Sequence, residues 1–155
     1  MIRKLAFALL LAASFIATGV RAEIRRAPSS GPIAISPAVT APPGSTLVFL
    51  SGALPTIADK AAPGDTATQS RSVLSKLEAA LKAEGLGFGD VVKATVFLVG
   101  DPAKGGEIDF AGLNAAWSEA FGTTAQPNKP ARSTVKVAGL VAPGALVEIE
   151  FIAAH

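Results

Sequence analysis

"VVKATVFLV", residues 91 to 99, is apolar at nearly every position. A strand with one wet face alternates apolar and polar side chains; an unbroken apolar run asks for burial on both faces. The stretch therefore predicts a central strand. The residues to either side say what can cover it. Upstream, Val73, Leu74, Leu77, Ala80 and Leu81 recur at helical spacing, with Arg71, Lys76, Glu78 and Lys82 largely off that stripe. Asp65 or Thr66 supplies the N-cap, and Gly85 and Gly87 end the helix. Downstream, Asp109 to Phe121 predicts a second helix, with Leu113, Trp117 and Phe121 four residues apart.

Four more strands complete the order. Ile33–Val39 and Thr46–Leu50 flank the turn "APPG" and predict a hairpin. Ala131–Ala138 and Ala145–Ala153 flank the turn "APG" at 142–144. The order is β-β-α-β-α-β-β, an α+β fold with two helices on one face of the sheet. Two helices cover only one face of such a sheet. The other face packs on a second copy of the chain, or the sheet curls over its own core.

The N-terminus reads as an export signal. Arg3 and Lys4 precede an apolar run from Leu5 to Ala17, and Val20-Arg21-Ala22 is a small-x-small cleavage site. The expected organisation is a signal peptide over 1–22, a flexible lead-in over 23–32 and one domain over 33–155. The expected location is the periplasm or the cell exterior, with no membrane attachment after cleavage. Removing Arg3, Lys4 and Arg21 from 14 basic residues leaves 11 against 12 acidic ones, a net charge of about −1. That balance, without a basic stripe interleaved with aromatics, argues against a nucleic-acid partner. The chain has no cysteine, and its one histidine, His155, is the last residue. Thiol chemistry, a His-based triad and a His-rich metal site are thereby disfavoured. No phosphate loop, paired-cysteine metal site or dinucleotide fingerprint is present.

Two features look costly unless they work. Arg132 opens a strand entering the core, in "KPARSTVKVAG" (129–139). A guanidinium is always charged and expensive to bury unpaired, and it suits a carboxylate held by two parallel hydrogen bonds. Glu148 and Glu150 alternate with Val147, Ile149 and Phe151. Glu150 reads as solvent-facing; a half-buried Glu148 is suited to holding a water or passing a proton. Ser51-Gly52 follows a strand directly, where a glycine lets a ligand approach the backbone. Asn114 is a mediocre helix former inside the second helix and points to a cap, to solvent or into a cleft. Trp117 reads as core.

"PARSTVKVAGLVAPGALVEI" (130–149), "DVVKATVFLVGD" (90–101), "DFAGLNAAWSEAFG" (109–122) and "FLSGALP" (49–55) occur in the order of motifs that define the RidA (YjgF) family, the reactive intermediate deaminases. The chain resembles that family over Ile33 to Ala153. The resemblance implies a chorismate-mutase-like fold, a homotrimer with clefts between subunits, and hydrolysis of small 2-imino acids to 2-oxo acids and ammonia without a cofactor. It places Arg132 on the substrate carboxylate and Glu148 beside the attacking water, with Ser51, Gly52, Asn114 and Thr134 lining the cleft. The chain departs from the pattern at Ala38, where an aromatic is usual, at Ala53 in place of a glutamine, and at Thr134 where a cysteine is often found. These departures imply a wider or differently lined cleft. They also keep open a trimeric carboxylate-binding or chaperone-like protein without turnover, and hydrolysis of another small amide or imine.

Overall fold

The computed structural model describes residues 23–155. The signal-peptide reading of 1–22 lies outside them. The strands are β1 (Arg25–Arg26), β2 (Val39–Thr40), β3 (Leu47–Ala53), β4 (Val91–Leu98), β5 (Ala131–Lys136) and β6 (Val147–Ala154); the helices are α1 (Thr66–Ala83) and α2 (Phe110–Ala120). The main sheet runs β3-β6-β4-β5. β6 is antiparallel to both β3 and β4, whereas β4 and β5 are parallel. The fold is α+β, as the sequence predicts.

Each helix begins on an aspartate. The Asp65 carboxylate accepts the Thr68 amide at 2.8 Å and the Asp109 carboxylate accepts the Gly112 amide at 3.0 Å. Each bond satisfies an amide that the first turn leaves without a partner. Gly85 stops α1 in the left-handed region at φ 72°, with the Leu86 amide donating back to the Leu81 carbonyl at 2.8 Å. Val73, Leu74, Leu77 and Leu81 of α1 and Leu113, Ala116 and Trp117 of α2 close over Ala94, Val96 and Leu98 of β4 and Val147, Ile149 and Phe151 of β6. Phe121 stacks on Trp117 at 4.3 Å, and the Phe151 ring meets Phe121 edge-on.

The opposite face of the sheet is open in the single chain. It carries Lys93, Thr95 and Phe97 of β4 beside Glu148, Glu150 and Ile152 of β6. Leu47 and Phe49 of β3 lie on the same face, and Phe49 is 70% exposed. Residues 91–98 thus have one face dry within the chain and the other only half-covered.

The N-terminal part differs from the sequence reading. The hairpin of Ile33–Val39 with Thr46–Leu50 does not form; β3 pairs with β6 instead. Pro32 and Pro37 bracket the 33–36 run and lack the amide a ladder needs. Its backbone is used otherwise. The Ala34 carbonyl accepts the Trp117 indole N–H at 2.8 Å, and the Ser36 amide donates to the Pro130 carbonyl at 2.9 Å. Nor is the 23–32 lead-in wholly without structure: Arg25–Arg26 pair antiparallel with Val39–Thr40. Arg26 Nη2 donates to the Gly89 carbonyl at 2.6 Å, tying that ribbon to the turn before β4.

Candidate functional site

Arg132 lies on the edge strand β5, opposite Ala94 of β4. Ala94 is fully buried beneath the helices, so Arg132 and Thr134 face the helix side. Arg132 Nη2 donates to Asn114 Oδ1 at 2.7 Å. Its Cζ lies 4.7 Å from the centre of the Trp117 ring and 5.6 Å from that of Phe110. Among the described residues no carboxylate pairs with it. Burial without a counter-charge pushes the guanidinium down to about 10, so it stays charged at neutral pH. Arg132 Nη1 is buried without a hydrogen-bond partner, and so is Thr134 Oγ1, two residues along the same strand face. A charged donor and a hydroxyl left in want of partners fit an incoming anion.

Glu148 is placed differently. It pairs with Phe97 and points to the open face. The ladder between β3 and β6 slips by one residue between Leu50 and Ala53, so Ser51 and Gly52 sit at a bulge on the other sheet edge. The Glu148 carboxylate lies directly against the Cα of Gly52. A side chain at position 52 would occupy the carboxylate's place.

The sequence-derived candidates therefore fall into two groups. Arg132, Asn114 and Thr134 share the helix side at the β5 edge. Glu148, Ser51 and Gly52 share the open face towards the β3 edge. β5 and β6 flank β4, so their axes are roughly 10 Å apart, and the two groups point in opposite directions. One small ligand cannot touch both within one chain. Two cavities of the single chain, about 450 and 380 Å³, are lined by other residues: the first by the termini around Arg26 and His155, the second by Asp65, Asp101 and Leu146. Ala38 is exposed beside the β1–β2 ribbon, its carbonyl accepting the Ala27 amide. Ala53 closes the bulge opposite Ile149.

Sequence reasoning missed the aromatic support of Arg132. Trp117 is core, and it is also the surface under the guanidinium. The signal was present in the spacing, since Phe110, Asn114 and Trp117 stand at i, i+4 and i+7 on one helix face.

The carboxylate position at Gly52 can be tested alone. Nothing rigid opposes a methyl group there, and position 52 has no left-handed φ. Gly52→Ala should leave Tm within about 2 °C while displacing the Glu148 carboxylate. If that carboxylate takes part in turnover, kcat should fall about 10- to 100-fold. An unchanged kcat would mean that its position is not used.

An α+β domain with a guanidinium lacking a counter-charge at one sheet edge and a carboxylate on the opposite face is a class defined by fold and charge placement. The comparisons with known proteins narrow this class. Residues 30–155 match the family model described as Endoribonuclease L-PSP. The chain is 39% identical over 128 residues to the 2-iminobutanoate/2-iminopropanoate deaminase of Escherichia coli, covering 82% of this chain and 94% of that one. It is 41% identical over 123 residues to a RutC family protein of Haemophilus influenzae, covering 79% and 89%. A crystal structure of a Rid-family protein from Yersinia pestis shares the fold, with a TM-score of 0.66 at 23% identity over 85% of this chain and 98% of that one. The chain belongs to the RidA/YjgF family.

Proposed function

We propose that the protein is an imine deaminase that hydrolyses small 2-imino acids, and their enamine tautomers, to 2-oxo acids and ammonium. The observation that carries this reading is Arg132, a half-buried cation with a buried, unpaired Nη1 and no acid of its own. The substrate carboxylate supplies the missing anion. The likeness to the Escherichia coli deaminase supports the reaction class.

The chemistry suits the residues present. A protonated imine carbon is already electrophilic, so water can serve as the nucleophile. Water adds to that carbon and its proton passes to Glu148, giving a tetrahedral amino alcohol. Glu148 returns the proton to the nitrogen, the C–N bond breaks as the hydroxyl collapses to the carbonyl, and the hydroxyl proton passes to the departing ammonia, giving ammonium. One water is consumed, no electrons are transferred, and orientation with modest acid–base help is sufficient. The family model's description names a ribonuclease, but a charge of about −1 over residues 23–155, without a basic stripe, offers a polyanion little purchase.

Because Arg132 and Glu148 point to opposite faces, both reach one substrate only when a second copy completes the cleft. We read the assembly as a homotrimer closed through the open sheet face, where Leu47, Phe49 and Val135 are exposed. The basic start, apolar run and small-x-small site at 20–22 support export. Loss of turnover with retained ligand binding would mark a binding protein, the reading that Ala38 and Ala53 favour.

One preparation tests these parts. Full-length protein expressed in a bacterial host and recovered from the periplasm or medium should begin at Glu23 and scatter light as three chains. It should accelerate 2-oxo acid release from imines made in situ by an amino-acid oxidase. An intact N-terminus in the cytoplasm would remove the export reading, a monomer would remove the shared cleft, and no acceleration with any imine would remove the deaminase.

A further inference from the structure

We infer that Phe110 and Trp117 are positioning residues for Arg132: one face of α2 forms an aromatic platform that holds the guanidinium in place for the carboxylate. The inference deepens the proposed function and rests on the role given there to Arg132.

Three side chains at i, i+4 and i+7 converge on one group. Asn114 Oδ1 takes Nη2, while the rings of Phe110 and Trp117 lie 5.6 and 4.7 Å from Cζ. An arginine side chain has four rotatable bonds and ordinarily sweeps a wide arc. Here the amide ties one nitrogen, and the negative ring faces attract the cation without competing for its N–H donors. Nη1 is thus kept free of any protein acceptor. An aspartate in place of this platform would neutralise the group and occupy the donors that a substrate needs.

The platform is itself anchored. Trp117 is fully buried, its indole N–H is fixed on the Ala34 carbonyl at 2.8 Å, and Phe121 stacks against it. Phe110 is different: it is 40% exposed and adds little to the core. A large apolar ring left at the surface beside a buried cation is accounted for by the contact with Arg132. Phe110 also makes the cleaner test, because removing it does not open the core.

Trp117 is the single tryptophan of the chain, so its fluorescence reports on the group lying over it. Binding of 2-oxobutanoate to Arg132 should change that emission in the wild type and leave it unchanged in Arg132→Met. Phe110→Leu should weaken 2-oxobutanoate binding by roughly 3- to 10-fold. It should raise KM for the imine more than it lowers kcat, and leave the weak binding of the neutral 2-oxobutanamide as it was. Phe110→Tyr should restore the wild-type KM. Wild-type KM and binding in Phe110→Leu, with Arg132→Met defective, would overturn the platform and leave the deaminase reading standing. Carboxylate binding unchanged in Arg132→Met would overturn both.

Discussion

Arg132→Met should abolish most of the deaminase activity while raising thermal stability. Losing a charge-assisted contact to the substrate carboxylate typically costs a few kcal/mol, so kcat/KM should fall about a hundred- to a thousand-fold. Stability should move the other way. The guanidinium is half-buried with no counter-ion, and that burial holds it down to about 10. Allowing for the solvent it retains, that desolvation costs on the order of 2 kcal/mol. The rings of Trp117 and Phe110 and the Asn114 amide return about half of it. Methionine has comparable length, fills the space and carries no charge. A net gain of about 1 kcal/mol corresponds to a Tm rise of about 3–5 °C, measured at fixed protein concentration.

The pH dependence follows from the sign of the shift. For a base whose value is lower in the folded state, the folded protein disfavours the charged form. The penalty is present throughout neutral pH and is relieved only as pH rises through about 10. The stability advantage of Arg132→Met should therefore be full at pH 7 and shrink above about pH 10. A variant that is both inactive and less stable at pH 7 would mean that Arg132 is a structural arginine with a counter-charge met elsewhere.

Gln69→Leu should be the most destabilising single substitution at a polar position outside the site. Gln69 is 2% exposed on the apolar side of α1. Its Nε2 donates to the Gly144 carbonyl at 2.9 Å and lies 3.1 and 3.2 Å from those of Pro63 and Gly64; its Oε1 accepts the Leu146 amide at 2.8 Å. One amide thus satisfies the loop before α1 and the turn before β6 together. Leucine matches its volume but leaves the Leu146 amide and the Gly144 carbonyl buried and unpaired, each at a cost of about 1–3 kcal/mol. The expected loss is about 3–4 kcal/mol, a fall in Tm of roughly 10–15 °C by thermal denaturation. Because Leu146 stands two residues before Glu148, kcat in the folded fraction should fall as well. A loss below about 1 kcal/mol would show that water replaces the amide.

Much of this was legible in the chain itself. Both helices, a cap at Asp65 or Thr66 and the glycines after α1 follow from spacing and from the partnerless amides of a first turn; the capping role of Asp109 emerges only in the structure. Strand β4 follows from its apolar run, and the oddity of Arg132 follows from the cost of burying a guanidinium. The N-terminal ribbon was not legible. Ile33 to Ile35 are good strand residues, but Pro32 and Pro37 remove ladder donors and the Trp117 indole claims the Ala34 carbonyl. Gln69 is not legible either, because a polar residue on an apolar stripe shows its purpose only when the turn it serves is known.

Spacing and composition alone mark out both helices and most of the strands, the family they resemble, and Arg132 and Glu148 as the two charges in need of explanation. The folded chain is needed to see that β6 lies between β3 and β4, that β5 runs parallel to β4 at the edge, and that Arg132 and Glu148 face opposite ways. The reason is physical. Alternation along a strand says which residues share a side with one another, but neither its pairing nor its register against other strands. Those depend on which apolar faces close over the helices, a property of all the elements packed together.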